Sequence, residues 1–112
     1  MQPQRHTGSL GEYFTVLANG HRRRLLVALM RSNPRDEESL RAEIAVDDLT
    51  DEDEEVLRYK LHHVHLPKLD EMAFVTWDRE RDVITRGPRF DEIRPLLRLM
   101  EDHADELPDD WP

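Results

Sequence analysis

Thr50-Asp51-Glu52-Asp53 opens the stretch that most limits how this chain can fold. A hydroxyl at the N-cap with acids in the first turn suits the positive end of a helix dipole. Behind it Leu57, Leu61 and Val64 recur at i, i+4 and i+7. At about 100° per residue that spacing puts the three inward, turns Tyr59, His62 and His63 outward and leaves Arg58 and Lys60 on the flanks. Pro67 lacks a backbone donor and crowds residue 63, which predicts a kink or a fresh start, after which Leu66, Leu69 and Ala73 face inward again. Two β-prone runs follow, Phe74-Val75-Thr76-Trp77 and Val83-Ile84-Thr85, separated by the charged turn Asp78-Arg79-Glu80-Arg81-Asp82. The whole reads as a helix over about 51–66 leading into a two-stranded hairpin over about 74–85.

The remaining elements are helical. Residues 1–9 are polar and carry Pro3, Gly8 and Ser9, the composition of a frayed arm. Tyr13, Phe14, Leu17 and Ala18 recur at helical spacing, and Asn19-Gly20 reads as a C-terminal stop in which Gly takes the left-handed conformation. His21 to Arg31 makes a second amphipathic helix, with Leu25, Leu26, Leu29 and Met30 opposite Arg22, Arg23 and Arg31, and Asn33-Pro34 ends it. In residues 36–49, Leu40, Ala42, Ile44 and Val46 alternate like a strand, while Leu40 and Ile44 also fit a short helix; both readings stand. Gly87-Pro88 breaks the hairpin, and Phe90, Ile93, Leu96, Leu97 and Met100 mark a last helix that runs to about His103 with Pro95 early in it. A chain of 112 residues holds one modest core. The expected organisation is an arm (1–9), one domain (10–104) and an acidic tail (105–112) whose Trp111 docks on the core.

The chain has 25 acids against 16 bases, and its only lysines are Lys60 and Lys68. The acids are segregated. Residues 36–55 hold 11 acids and a single base, Arg41, and residues 101–112 hold six acids with no Lys or Arg. The other 80 residues carry 8 acids against 15 bases, a local net charge of +7, so a polyanion can still find a basic face. Residues 56–69 contain Arg58, Lys60, Lys68, three histidines and no acid. With no cysteine, disulfides, thiolate zinc sites and thiol nucleophiles are excluded. No Gly-rich phosphate loop and no Ser in a nucleophile elbow is found, so no catalytic set, no cofactor and no enzyme activity are expected. His62 and His65, at i and i+3, invite a zinc reading. Without cysteine, and with His103 alone in the last helix, a packed or DNA-facing histidine cluster is preferred and no metal site is assigned. No apolar run approaches the ~18 residues of a membrane span, and Met1 to His6 lacks a signal-peptide core, so a soluble cytoplasmic protein is expected.

Two helices, a variable segment, a helix, a hairpin and a final helix form the order of a winged helix-turn-helix, a mainly α fold with a small β-hairpin (α+β). The run Leu61-His62-His63-Val64-His65-Leu66-Pro67-Lys68-Leu69-Asp70-Glu71-Met72-Ala73-Phe74-Val75 resembles the end of the recognition helix in ArsR-like regulators, where a Leu-Glu-Glu-Ala-Gly-Leu-Val run leads into the wing. It is more closely similar to haloarchaeal winged-helix proteins that carry His-His-Val-His-Leu-Pro-Lys-Leu, then Arg-Gly-Pro-Arg-Phe and a Leu-Pro-Asp-Asp-Trp-like end. The likeness covers roughly residues 10–111, and the acid-rich, lysine-poor composition resembles that of haloarchaeal cytoplasmic proteins. Two departures stand out: Met72-Ala73 replaces the usual Ala-Gly before the wing, and the first helix of the helix-turn-helix is unusually acidic.

The resemblance implies a DNA-binding transcriptional regulator of a halophilic archaeon. In such proteins one helix enters the major groove while nearby bases fix register on phosphates. Tyr59, His62 and His63 are then expected toward base edges, and Arg58 and Lys60 toward phosphates, with Lys68 in the same acid-free window. Arg79 and Arg81 at the wing tip are expected at the adjacent backbone or minor groove, and Arg22 and Arg23 as further phosphate contacts. A homodimer through Leu10–Ala18, Phe90–Met100 or both would read two half-sites on double-stranded DNA. The competing class is a winged-helix protein-interaction module without sequence-specific DNA binding.

Overall fold

The computed structural model describes residues 8–45 and 50–112. Its elements in chain order are α1 (Leu10–Leu17), α2 (Gly20–Arg31), α3 (Glu37–Ile44), α4 (Asp51–Lys60), a π-helical turn (Leu61–His65), α5 (Leu66–Glu71), β1 (Val75–Asp78), β2 (Val83–Arg86) and α6 (Phe90–Asp102). α4, the π turn and α5 follow one another without a break as a single rod. The result is an α+β arrangement, mostly helical with one antiparallel hairpin, compatible with a winged helix. Most of the expected N-terminal arm, residues 1–7, and residues 46–49 of the ambiguous segment lie outside the described residues. No helix among the described residues is long and apolar enough to cross a membrane.

Side chains start the helices and arginines finish several of them. Ser9 caps α1 by accepting from the Glu12 amide, Asp36 caps α3 by accepting from the Ser39 amide, and Thr50 with Asp53 forms a reciprocal capping box at α4. The Asn19-Gly20 expectation is corrected: no glycine takes a positive φ among the described residues, and Asn19 instead caps α2, its Oδ1 accepting from the His21 and Arg22 amides. α1 is finished from outside. Arg22 donates to the carbonyls of Val16 and Thr15, and Arg23 donates to that of Leu17, which satisfies orphan groups at a helix end. Arg86 does the same for α2 through the Leu29 and Met30 carbonyls.

Residues 37–44 are helical, burying Leu40 and Ile44 against α2. The strand reading fails there because Asp36 supplies a cap and the apolar spacing of four then fits one helix face. Among the described residues of this stretch, extended pairing is confined to Arg35, which exchanges two backbone hydrogen bonds with Ile84 (2.9 and 2.8 Å) and so adds one residue of a third strand beside β2. In the hairpin Trp77 faces Ile84 across the pair, and Val75, Trp77 and Ile84 point into a core that includes Leu25, Leu29, Leu61, Leu69, Phe74 and Phe90.

The break expected at Pro67 takes the form of a π turn one residue ahead of it. The Leu66 amide bonds to the Leu61 carbonyl, an i−5 pairing that widens the rod. The inward register thus runs Leu57, Leu61, Leu66, Leu69. The expectation for Val64 is corrected: it is 44% exposed, because the extra residue in the turn rotates it out and carries His65 inward. At the end of α5 the Phe74 amide bonds to the Leu69 carbonyl and the Ala73 amide to that of Asp70, the paired bonds of a Schellman motif. Its left-handed position is held by Ala73 at φ 65°, where glycine is the usual occupant. Ala73→Gly is therefore expected to raise stability by about 0.5–1 kcal/mol in urea unfolding; a loss would mean that Ala73 packing outweighs the backbone strain.

Beyond α6 the tail folds back. Trp111 packs against the core and its indole donates to Glu101 (3.0 Å), which also pairs with Arg31, and Arg23 reaches the Asp110 carbonyl. Arg89 ties α1 to α6 by pairing with Glu12 (2.7 Å) and Glu92 (3.0 Å) while lying 4.8 Å over the Phe74 ring.

Candidate nucleic-acid interface

The face singled out in the sequence falls on the solvent side of the rod, and its residues divide into three rows. Tyr59 and His63 form the outermost row. Tyr59 is 62% exposed and its ring lies 4.6 Å from that of His63. This pair is one helical turn apart, the ring planes inclined at 38°, and two flat, polar-edged rings in contact in the open are suited to meeting base edges.

The second row, Arg58 and His62, faces α3 and the hairpin. His62 Nδ1 is 3.0 Å from Glu37 Oε2, and its ring stands at 90° to Trp77 at 5.0 Å. His62 is thereby pinned between the first helix of the pair and the wing, and it is less open than expected. Glu37, Glu55, Arg58, Tyr59, His62 and His63 line one surface recess of about 400 Å³. The window that is free of acids along the chain is therefore not free of them in space. Glu37 arrives from another helix, and Glu55 from the preceding turn of the same one.

The wing is braced against α3. Asp82, at φ 53°, accepts from the Glu37 amide (3.1 Å), and Asp78 accepts from the Arg81 amide inside the turn (3.2 Å). Arg79 lies 4.3 Å over the Trp77 ring, while Arg81 is open and only loosely paired with Asp78 at 3.9 Å. Both guanidiniums stay at the wing tip.

The third row, Lys60 with exposed Val64, turns toward the N-terminal end of α2. Burial lowers the His65 pKa to about 4, helped by the nearby charges of His21, Arg22 and Lys60. His21 is shifted in the same direction, first by burial and then by Arg24 and Lys60. Lys68 is exposed further along on α5.

Arg22 and Arg23, expected toward phosphates, are engaged inside the fold. Their guanidiniums are half-buried and taken up by carbonyls at the end of α1, and burial lowers the Arg22 pKa. Sequence reasoning overlooked Glu37, Trp77, His21 and Arg24. For Glu37 and Trp77 there was no local signal, since they meet His62 only through tertiary packing; His21 and Arg24 were hidden in a run of four basic residues, all with the same apparent claim.

No curated protein and no solved structure matches the chain. Residues 14–85, spanning α1 through β2, match the family described as a domain of unknown function, DUF7344. This match takes in all three rows of the face, and the chain belongs to the DUF7344 family.

Proposed function

We propose that this protein is a cytoplasmic DNA-binding transcriptional regulator of a halophilic archaeon, with the rod from Asp51 to Glu71 as recognition element and the β1–β2 hairpin as wing. The observation that carries the reading is the open Tyr59–His63 stack on a capped helix, flanked by Arg58 and Lys60 and braced by a hairpin bearing Arg79 and Arg81. Tyr59 and His63 address base edges, and Arg58, Lys60, Arg79 and Arg81 address the sugar–phosphate backbone. His62 acts by holding the helix to α3 and the wing. The resemblance to ArsR-like and haloarchaeal winged-helix proteins supports the same assignment.

One recognition helix reads a half-site, so the reading includes a homodimer. Leu10 and Phe14 on α1 and Ala18 at its C-cap form an exposed stripe at four-residue spacing, and Leu99 is exposed on α6, which offers apolar surface for a second copy.

In molar KCl the Debye length is about 3 Å, so the acids at Glu37 and Glu55 repel DNA only at contact range. Affinity is expected to fall less steeply with KCl than an ordinary counterion-release slope. The direct test is a Lys60→Glu/His63→Glu double variant. Both positions are exposed, so its unfolding midpoint should match the parent while retention on duplex DNA in ~2 M KCl is abolished. If DNA binding survives the double substitution, the reading falls. The acidic rim of the recess favours the second reading, docking of a basic protein segment at Glu37 and Glu55, and pull-down that persists in the double variant would identify it.

A further inference from the structure

His65 is 3% exposed, and neither ring nitrogen has a hydrogen-bond partner among the described residues. One of those nitrogens carries a proton, so the ring presents a buried donor with no acceptor. A natural structure rarely leaves such a group unpaired. The ring lies against His21, with centroids 5.5 Å apart and planes at 72°. His21 is in the first turn of the 12-residue α2. The Arg24 guanidinium folds back over that same turn, so that a Cβ on Gly20 would stand 3.3 Å from its Nη1 and Nη2. Lys60 closes the cluster from α4, near enough for its charge to act on both histidines.

Glu43, Asp109 and Asp110 share a surface recess with Arg24, but none of them pairs with it. Neither Arg24 nor Lys60 makes an ion pair among the described residues, and every charged group that bears on His21 or His65 is basic. Like charges gathered at a half-buried site repel, and an oxyanion would relieve that repulsion; the His65 ring, its nitrogens closed off from the surface, only backs His21 from beneath. The dipole of α2 points its positive end at the same spot. Asn19 already occupies the His21 and Arg22 amides, so side chains supply the donors.

We infer that His21, Arg24 and Lys60 form a binding site for a phosphate-type oxyanion, filled by a backbone phosphodiester of bound DNA. The inference rests on the DNA-binding reading for the source of the phosphate, and on these residues alone for the site. Arg24 brings a planar fork that can grip two oxygens, and Lys60 a compact charge on the flank next to Tyr59. A phosphate held here registers the duplex so that the Tyr59–His63 stack faces the bases beside it. Arg24 thereby takes a role for which Arg22 and Arg23, bonded to the carbonyls at the end of α1, are less free.

The test uses the full chain in two arms. Inorganic phosphate is titrated against chloride at constant ionic strength while the His21 ring resonances are followed by NMR. A saturating shift that is absent in Arg24→Gln and in Lys60→Gln is expected; a shift linear in phosphate, or one that persists unchanged in both variants, overturns the site. In the second arm a specific and a random duplex are titrated at several KCl concentrations. Each variant should weaken both by the same factor, roughly 10-fold, and reduce the slope of log K against log salt by about 1. An unchanged slope in both variants overturns the assignment to the DNA backbone. If the parent chain binds phosphate saturably but no duplex, the DNA reading falls and the site remains as one for free phosphate.

Discussion

Acidification from pH 7 to pH 4 should cost the parent chain about 3 kcal/mol more stability than it costs a His65→Leu variant. His65 is buried and its pKa falls from an ordinary 6.5 to about 4, so the folded state holds the ring neutral while the unfolded chain takes up a proton below 6.5. The stability tied to the neutral ring is whole above pH 6.5, drains as pH falls through the window from 6.5 to about 4, and levels off below it. A shift of that size corresponds to about 3 kcal/mol. His21, Glu92 and Glu101 also have lowered pKa values and add acid sensitivity of the same sign. They are present in both chains, so the difference between urea-unfolding curves isolates His65. At pH 7 the variant should be at least as stable as the parent, by roughly 0–2 kcal/mol, because Leu removes unpaired polar atoms from the core. A pH-independent difference between the two chains would defeat the assignment.

Gly87→Ala should lower stability by about 3 kcal/mol, equivalent to a fall of roughly 10–20 °C in Tm. Gly87 lies where the end of β2 passes the turn leaving α5, and its amide donates to the Phe74 carbonyl at 3.0 Å. An added Cβ would stand 2.8 Å from the backbone N and C of Val75 and nearer still to the Ala73 carbonyl oxygen. Backbone on both sides cannot swing away as a side chain would, and the Ala73 oxygen is also held by the Arg89 amide at 2.8 Å. Relief requires moving the hairpin relative to the rod, so weakened DNA binding should accompany the loss. A change below about 0.5 kcal/mol would show that this crossing is looser than drawn.

The helices and hairpin could be located along the chain because their determinants are local. Thr50 and Asp53 are three residues apart, and Leu25 to Met30 carry their own periodicity. Trp77 and Ile84 sit in short β-prone runs divided by a charged turn. Tyr59 reads as outward for the same reason, since it lies on regular α4, and His63 stays outward inside the π turn, its ring 4.6 Å from that of Tyr59. Val64 was misplaced because one i−5 bond, set by the strain of Pro67, changes the phase of every later residue. Arginine was the residue type least legible in sequence. Arg22, Arg23, Arg24, Arg79 and Arg86 are chemically equal along the chain, yet three of them finish helices from within the fold.

The sequence by itself determined most of the elements, their order and the outward placing of Tyr59 and His63, because hydrogen-bonded turns, caps and periodicity act over a few residues; α3, where strand and helix spacing both fitted, was decided only by packing against α2. Tertiary structure alone decided what surrounds that stack. It brought Glu37 to His62, laid Trp77 behind them and gathered His21, Arg24 and Lys60 above a buried His65. Charge and burial depend on distances in space between residues tens of positions apart, and the helical and strand periods carry no record of those distances.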